Sequence, residues 1–144
     1  MDYNKIWSPL KLRAEDDADL QVFSQCMYEA IVLPSEVNYS KEKKQFAVAM
    51  ERFTWEVAHG KDHLLMQVLS ILIVNGVKSI DFKDIVTKNS IKNILSISNV
   101  DNNILILLNN DEIINLKVNK WNCILEDIGK PVFPATVPSH YKDE

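Results

Sequence analysis

The chain is poor in the residues from which active sites are usually built. Its 144 residues include two cysteines, two arginines, three histidines and three glycines. No glycine-rich phosphate loop, no adequate set of metal ligands and no nucleophile paired with a base can be assembled from them by sequence spacing. Cys26 and Cys123 lack electropositive neighbours in sequence, which leaves thiolate catalysis without support, and both are expected to be free and buried. Ser70, Ser79, Ser96 and Ser98 sit in strand-like patterns without the glycine-flanked elbow of a serine hydrolase. The first nine residues carry an acid at position two and no apolar run, so no secretory leader is expected and the mature chain is expected to start here. The longest apolar segment, Leu64 to Val74, contains Gln67 and Ser70 and falls short of the roughly 20 residues that a membrane helix needs. These absences predict a cytoplasmic protein with no membrane association and no cofactor.

Charge excludes a further class. Sixteen Lys and Arg against twenty Asp and Glu give a net charge of -4, and the longest basic cluster, Lys41-Glu42-Lys43-Lys44, is broken by a glutamate. A surface of this kind displaces few counterions, so no nucleic-acid partner is expected. What the chain has in quantity is core: 47% hydrophobic residues, the composition of one globular domain. Residues 1–129 read as a single domain, and residues 130–144, with Pro131, Pro134 and Pro138, as an extended tail.

Along the chain, Leu20, Phe23, Met27 and Ile31 recur at helical spacing behind the acids Glu15, Asp16, Asp17 and Asp19, which predicts a helix over 13–31 with an acid-capped start. Pro34 ends it. Residues 36–39 and 46–56 then flank the turn 40–44 as a hairpin, with Phe46, Val48 and Met50 on one phase and Phe53 and Trp55 on the other. A bulge near Glu51-Arg52 would reconcile the two phases. Leu64–Val74 reads as a buried central strand, with a helix as the competing reading, and Asn75-Gly76 as a bend. Val77–Phe82 alternates as a further strand, Lys83–Asn93 reads as irregular, and three short strands at 94–98, 104–108 and 113–118 are joined by Asn/Asp turns. Asn119 followed by the stripe Trp121, Ile124, Leu125 and Ile128, with Gly129 and Pro131 behind, predicts a second helix. The expected fold class is α+β: an N-terminal helix, a bent antiparallel sheet of about six strands and a C-terminal helix closing it, as in a pleckstrin-homology-like barrel.

The candidate site is Arg52-Phe53-Thr54-Trp55-Glu56, which carries one of the two arginines into an aromatic and acidic setting. In a functional reading Arg52 offers its planar fork to a carboxylate or phosphate, with Trp55 as a platform, Glu56 orienting it and Arg13 extending the surface. In the structural reading Arg52 pairs with Glu56 or with the acidic start of the first helix, and Trp55 is core. His59 and His63 have a spacing that could serve a metal, but Gly60 places them on a loop and no third ligand is near. The acids at 15–19 lack the alternating donors of a calcium loop and read as helix capping. The proline-containing tail can be a docking peptide or lie across its own domain, with Phe133 in a groove.

Leu12-Arg13-Ala14-Glu15-Asp16, Asp19-Leu20, Phe46, Arg52 to Glu56, Val77-Lys78-Ser79-Ile80-Asp81 and Leu125 to Gly129 together resemble domain-of-unknown-function family 2948, small cytosolic proteins of alphaproteobacteria. The resemblance covers nearly the whole chain. Thr54 stands where that family carries a basic residue, which tells against a strongly cationic pocket on this strand. The resemblance implies an intracellular bacterial source and brings no catalytic residue with it.

Three functions follow as expectations. The leading one is a noncatalytic module binding a protein partner or small anionic ligand around Arg13, Arg52, Trp55 and Glu56. The second is an enzyme assembled from distant acid/base groups such as Glu56, Asp62, His63 or His59. The third is a self-associating homo-oligomer built through an exposed sheet edge.

Overall fold

The computed structural model describes residues 7–58, 65–81 and 91–132. Seven strands and two short helices follow in the order β1 (Lys11–Ala14), α1 (Asp17–Met27), β2 (Ile31–Ser40), β3 (Gln45–Phe53), α2 (Trp55–Ala58), β4 (Gln67–Asp81), β5 (Ile94–Val100), β6 (Asn103–Leu108) and β7 (Ile113–Asp127). All strand pairs are antiparallel, in an open sheet ordered β2-β3-β4-β7-β6-β5, with β1 paired to the far half of β7. The fold is therefore largely β, which corrects the expected α+β class with six strands and a closing C-terminal helix. With that helix goes the ground for a pleckstrin-homology-like barrel.

The segment expected as the last helix is the second half of β7. Its stripe of Trp121, Ile124, Leu125 and Ile128 fits a helical period, but Cys123, Leu125 and Asp127 are buried in strict alternation. Long-range pairing decides between the two periods. Residues 122–127 are bonded to β4 on one side and residues 123–126 to β1 on the other, so coiling them would strip two neighbours of their ladders. Gly129 does not end a helix either: its amide and that of Ile128 donate to the Leu69 carbonyl, and Val132 exchanges two backbone bonds with Gln67.

β4 and β7 are each 15 residues long and bend together. Gly76 at φ 87° forms the bend in β4, and a side chain there would meet the carbonyl oxygens of Asn119 and Lys120 at 2.7 and 2.8 Å. Only glycine allows this approach and this backbone angle together. The bend lets the β2–β3 hairpin extend one half of the sheet and the β5–β6 hairpin the other. The turns of the latter behave as their composition predicts, with Asp101, Asn102, Asn110 and Asp111 all at positive φ.

The first helix is shorter than expected because β1 takes its start and β2 its end. Asp16 is its N-cap, accepting from the Asp19 amide at 2.9 Å, and Leu20, Phe23 and Met27 enter the main core with Phe46, Val48, Leu72, Leu116 and Leu125. Ser24 ties the helix to β5, donating to the Ile97 carbonyl and accepting from its amide, both at 2.9 Å. The two end strands of the sheet touch nearby through an Ile31–Asn93 bridge.

No bulge occurs at Glu51-Arg52; the register of β3 with β4 is unbroken from Gln45 to Phe53, and the irregularity lies in β2 between Val32 and Val37. The two apolar phases of β3 are both buried because Phe53 faces a second small cluster with Leu65, Ile31 and Trp55. No helix among the described residues is long and apolar enough to cross a membrane.

Candidate functional site

Strand β3 ends at Phe53 because Thr54, fully buried, is committed elsewhere. Its amide donates to the Met66 carbonyl and its hydroxyl accepts from the Met66 amide, each at 2.9 Å, while its own carbonyl takes the Val57 amide and starts α2. That turn brings Glu56 back over Arg52.

Arg52 continues the inward phase of Phe46, Val48 and Met50 and is fully buried. All five of its N–H donors are used. Nε donates to Asp127 Oδ1 at 2.8 Å and Nη2 to Oδ2 at 2.9 Å; Nη1 and Nη2 donate to the two Glu56 oxygens at 2.9 and 2.7 Å; Nη1 also donates to the Phe53 carbonyl at 3.0 Å. Two bidentate carboxylates thus share one guanidinium, the geometry for which its planar fork is suited. Asp127 is tied further by the Leu10 amide at 2.8 Å and the Ser70 hydroxyl at 2.7 Å. The cluster pins β3, β4, β7, α2 and the segment before β1 at one end of the sheet.

The electrostatics follow. Burial by itself would lower the Arg52 pKa, but its hydrogen bonds and charge attraction to Asp127 and Glu56 more than offset this and raise it. Burial pushes Asp127 up, and Arg52, the Leu10 amide and the Ser70 hydroxyl together hold it below the usual carboxylate value. Cys26 on α1 is raised by burial, against the pull of the Arg52 charge and with help from Glu56 and Asp127. Burial pushes Cys123 up to about 12. Both thiols are free, as expected, but only Cys123 is buried; Cys26, expected to be buried too, is half-buried.

Trp55 sits on the outer side of this clamp. Its indole Nε1 donates to the Tyr28 carbonyl at 2.8 Å, and its ring lies 6.1 Å from that of Tyr28 and 5.8 Å from that of Phe53. A groove of about 360 Å³ runs along the pair, lined by Ser24, Gln25, Tyr28, Trp55 and Leu95, and a smaller hollow of about 160 Å³ between Gln25, Cys26, Trp55 and Glu56 adjoins it. Tyr28 is 40% exposed, and Trp55 and Glu56 are half-buried.

The structure thus brings together three of the four residues singled out in the sequence. Arg13 is elsewhere, exposed on β1 and bonded to Glu15 at 3.1 Å. Asp62, His59 and His63 lie outside the described residues, as does the tail beyond Val132. Among the described residues no group of three or more His, Cys, Asp or Glu is placed to hold a metal ion. Sequence reasoning missed Asp127 and Ser70 as partners of the clamp, and Tyr28, Gln25 and Leu95 as walls of the groove. Asp127 is hidden in the sequence because the apolar residues around it fit a helical period; the groove residues come from three elements with no shared sequence pattern.

No curated protein and no solved structure matches the chain. A family profile described as a protein of unknown function, DUF2948, matches residues 10–140. The match spans both ends of the clamp and every strand of the sheet, and the chain belongs to that family.

Proposed function

We propose that the protein is a noncatalytic binding module whose recognition surface is the Tyr28–Trp55 ledge, and that its occupant is an extended segment of a protein partner bearing a basic side chain. The observation that supports this reading is the saturation of Arg52. With every guanidinium donor taken by the fold, the clamp has none left for an anionic ligand, and its two carboxylates outnumber its one cation. The last turn of α1, which ends at Met27 next to Tyr28, contains no basic residue, so no side-chain cation of the helix competes for this region. A Lys or Arg laid over Tyr28 and Trp55 gains cation–π attraction and the half-buried Glu56 carboxylate nearby, while apolar neighbours fill the groove against Leu95. Trp55 is fixed by its bond to Tyr28 and by Phe53, so little side-chain freedom is lost on binding.

The test is an array of synthetic 12-residue peptides in matched sets, differing only in whether Lys, Glu or neither interrupts an apolar and proline-containing sequence. Binding is followed by the Trp55 indole resonance. The reading expects the Lys set to bind, and Tyr28→Ala and Gln25→Lys to weaken it at least about tenfold with the melting temperature unchanged. It is overturned if no set binds, if the Glu set binds best, or if both variants bind as the wild type does.

A further inference from the structure

The sheet has a second surface, on the side away from the main core. In β4, Val68, Ser70, Leu72 and Val74 are buried, and Leu69, Ile71 and Ile73 face the opposite way. The register sets Ile71 between Ala49 of β3 and Glu126 of β7, and Ile73 between Ala47 and Ile124. β1 completes both rows, with Lys11 beside Glu126 and Arg13 beside Ile124. Ala47, Ile71, Ile73 and Ile124 belong to neither buried cluster, and α1 sends its apolar side chains into the core on the other side. An amide ladder closes one end of the patch: Gln45 Nε2 donates to Asn75 Oδ1 at 2.9 Å, and Asn75 Nδ2 to Asn122 Oδ1 at 3.0 Å. At the other end Gln67 Nε2 donates to Glu51 Oε1 at 3.0 Å.

We propose that this face is where a second copy of the chain packs, forming a two-fold dimer sheet against sheet. The four strands lie in the order β1-β7-β4-β3, with Lys11 and Arg13 on one outer strand and Glu51, Ala47 and Ala49 on the other. A two-fold axis parallel to the strands and passing between β7 and β4 lays β1 of each copy over β3 of the other. Lys11 then crosses Ala49 and reaches toward the Glu51 carboxylate two residues further along β3, while Arg13, bonded to Glu15 of its own chain, crosses Ala47. At the centre Ile73 of one copy meets Ile124 of the other, and in the next row Ile71 meets Glu126, which stays beside Lys11 of its own chain. A self-complementary patch is what an isologous interface requires, and aligned sheets pack face to face at about 10 Å. Three strands over about 25 Å and the four residues of β1 over about 13 Å, at about 4.8 Å per strand, offer roughly 400 Å² per copy, below the roughly 800 Å² of a standard interface. The dimer is accordingly in exchange with monomer.

Sedimentation equilibrium of the full chain from about 10 µM to about 1 mM tests this. The mass is expected to rise from 16.5 kDa toward twice that value, and Ile73→Lys to hold it at the monomer. Leu69→Lys, at a position already exposed, replaces it if Ile73→Lys does not fold. Lys11→Glu and Glu51→Lys are each expected to weaken association about tenfold, and the two together to restore it to within about threefold. A concentration-independent monomer, a dimer indifferent to the lysine on β4, or a double reversal no better than the singles overturns the proposal.

Discussion

Arg52 and Asp127 lie 75 residues apart in the chain and meet side on, two nitrogens to two oxygens at 2.8 and 2.9 Å, both side chains withdrawn from water. They sit on strands separated by β4, whose Ser70 hydroxyl bridges the gap by donating to the same carboxylate. A pair of this kind holds three strands at once, and its removal is felt differently from each end.

Removing Asp127 strands a buried cation with only Glu56 to balance it. Asp127→Asn is expected to destabilise the fold by about 3–5 kcal/mol, whereas Glu56→Gln, whose carboxylate is partly solvated, costs on the order of 1 kcal/mol. The double substitution Arg52→Met with Asp127→Leu is expected to cost less than Asp127→Asn alone, because the one charge it leaves without its partner is the partly solvated Glu56 carboxylate rather than a fully buried guanidinium. Urea unfolding of the four proteins measures all three statements.

The depressed pKa of Asp127 sets a pH dependence with a definite sign. A carboxylate held below its unfolded value, about 3.9, adds stability that is fully present above that value and is lost as pH falls through the folded one. The stability gap between wild type and Asp127→Asn is therefore expected to be constant from about pH 7 to about pH 5 and to shrink below about pH 4. Chemical denaturation across this range reads it; a gap that widens toward acid contradicts the assignment.

Gly76 is expected to tolerate no side chain. Gly76→Ala places a methyl within 2.8 Å of two backbone carbonyls on β7 and forces a non-glycine residue to φ 87°, so a loss of about 2–4 kcal/mol is expected in thermal unfolding. Gly129→Ala meets Leu69, its Cβ at 3.1 Å and its backbone no nearer than 3.6 Å, and is expected to cost less.

The two thiols differ in reach. Cys123 is completely buried with its pKa pushed up to about 12, so alkylation at pH 8 is expected only at the rate of global unfolding. Cys26, half-buried beside the small hollow under Trp55, is expected to react sooner but more slowly than in the unfolded chain. Mass spectrometry after timed iodoacetamide exposure separates the two.

Much of the sheet was legible in sequence because its signals are local. The Asn/Asp turns at 101–102 and 110–111 demand positive φ wherever they occur, Phe46, Val48 and Met50 alternate, and the acids ahead of Leu20 cap a helix. The candidate site was half legible for the same reason: Arg52 and Glu56 are four residues apart, a spacing that already offers their pairing. Their route to each other was not foreseen, since a tight turn at Thr54 replaces the unbroken strand.

The sequence by itself determined that the chain carries enough apolar residues for a large core, which residues turn the chain, and that the stretch from Arg52 to Glu56 is the unusual one. Tertiary structure decided the rest. Residues 119–127 satisfy a helical and a strand period equally well, and only the ladders offered by β1 and β4 on either side make the strand the lower in free energy. The same pairing delivers Asp127 to Arg52, fills the last donors of the guanidinium, and leaves the aromatic ledge rather than the arginine facing outward. Hydrogen-bond partners 75 residues away leave no local trace in composition or spacing, because what selects them is the closing of the sheet.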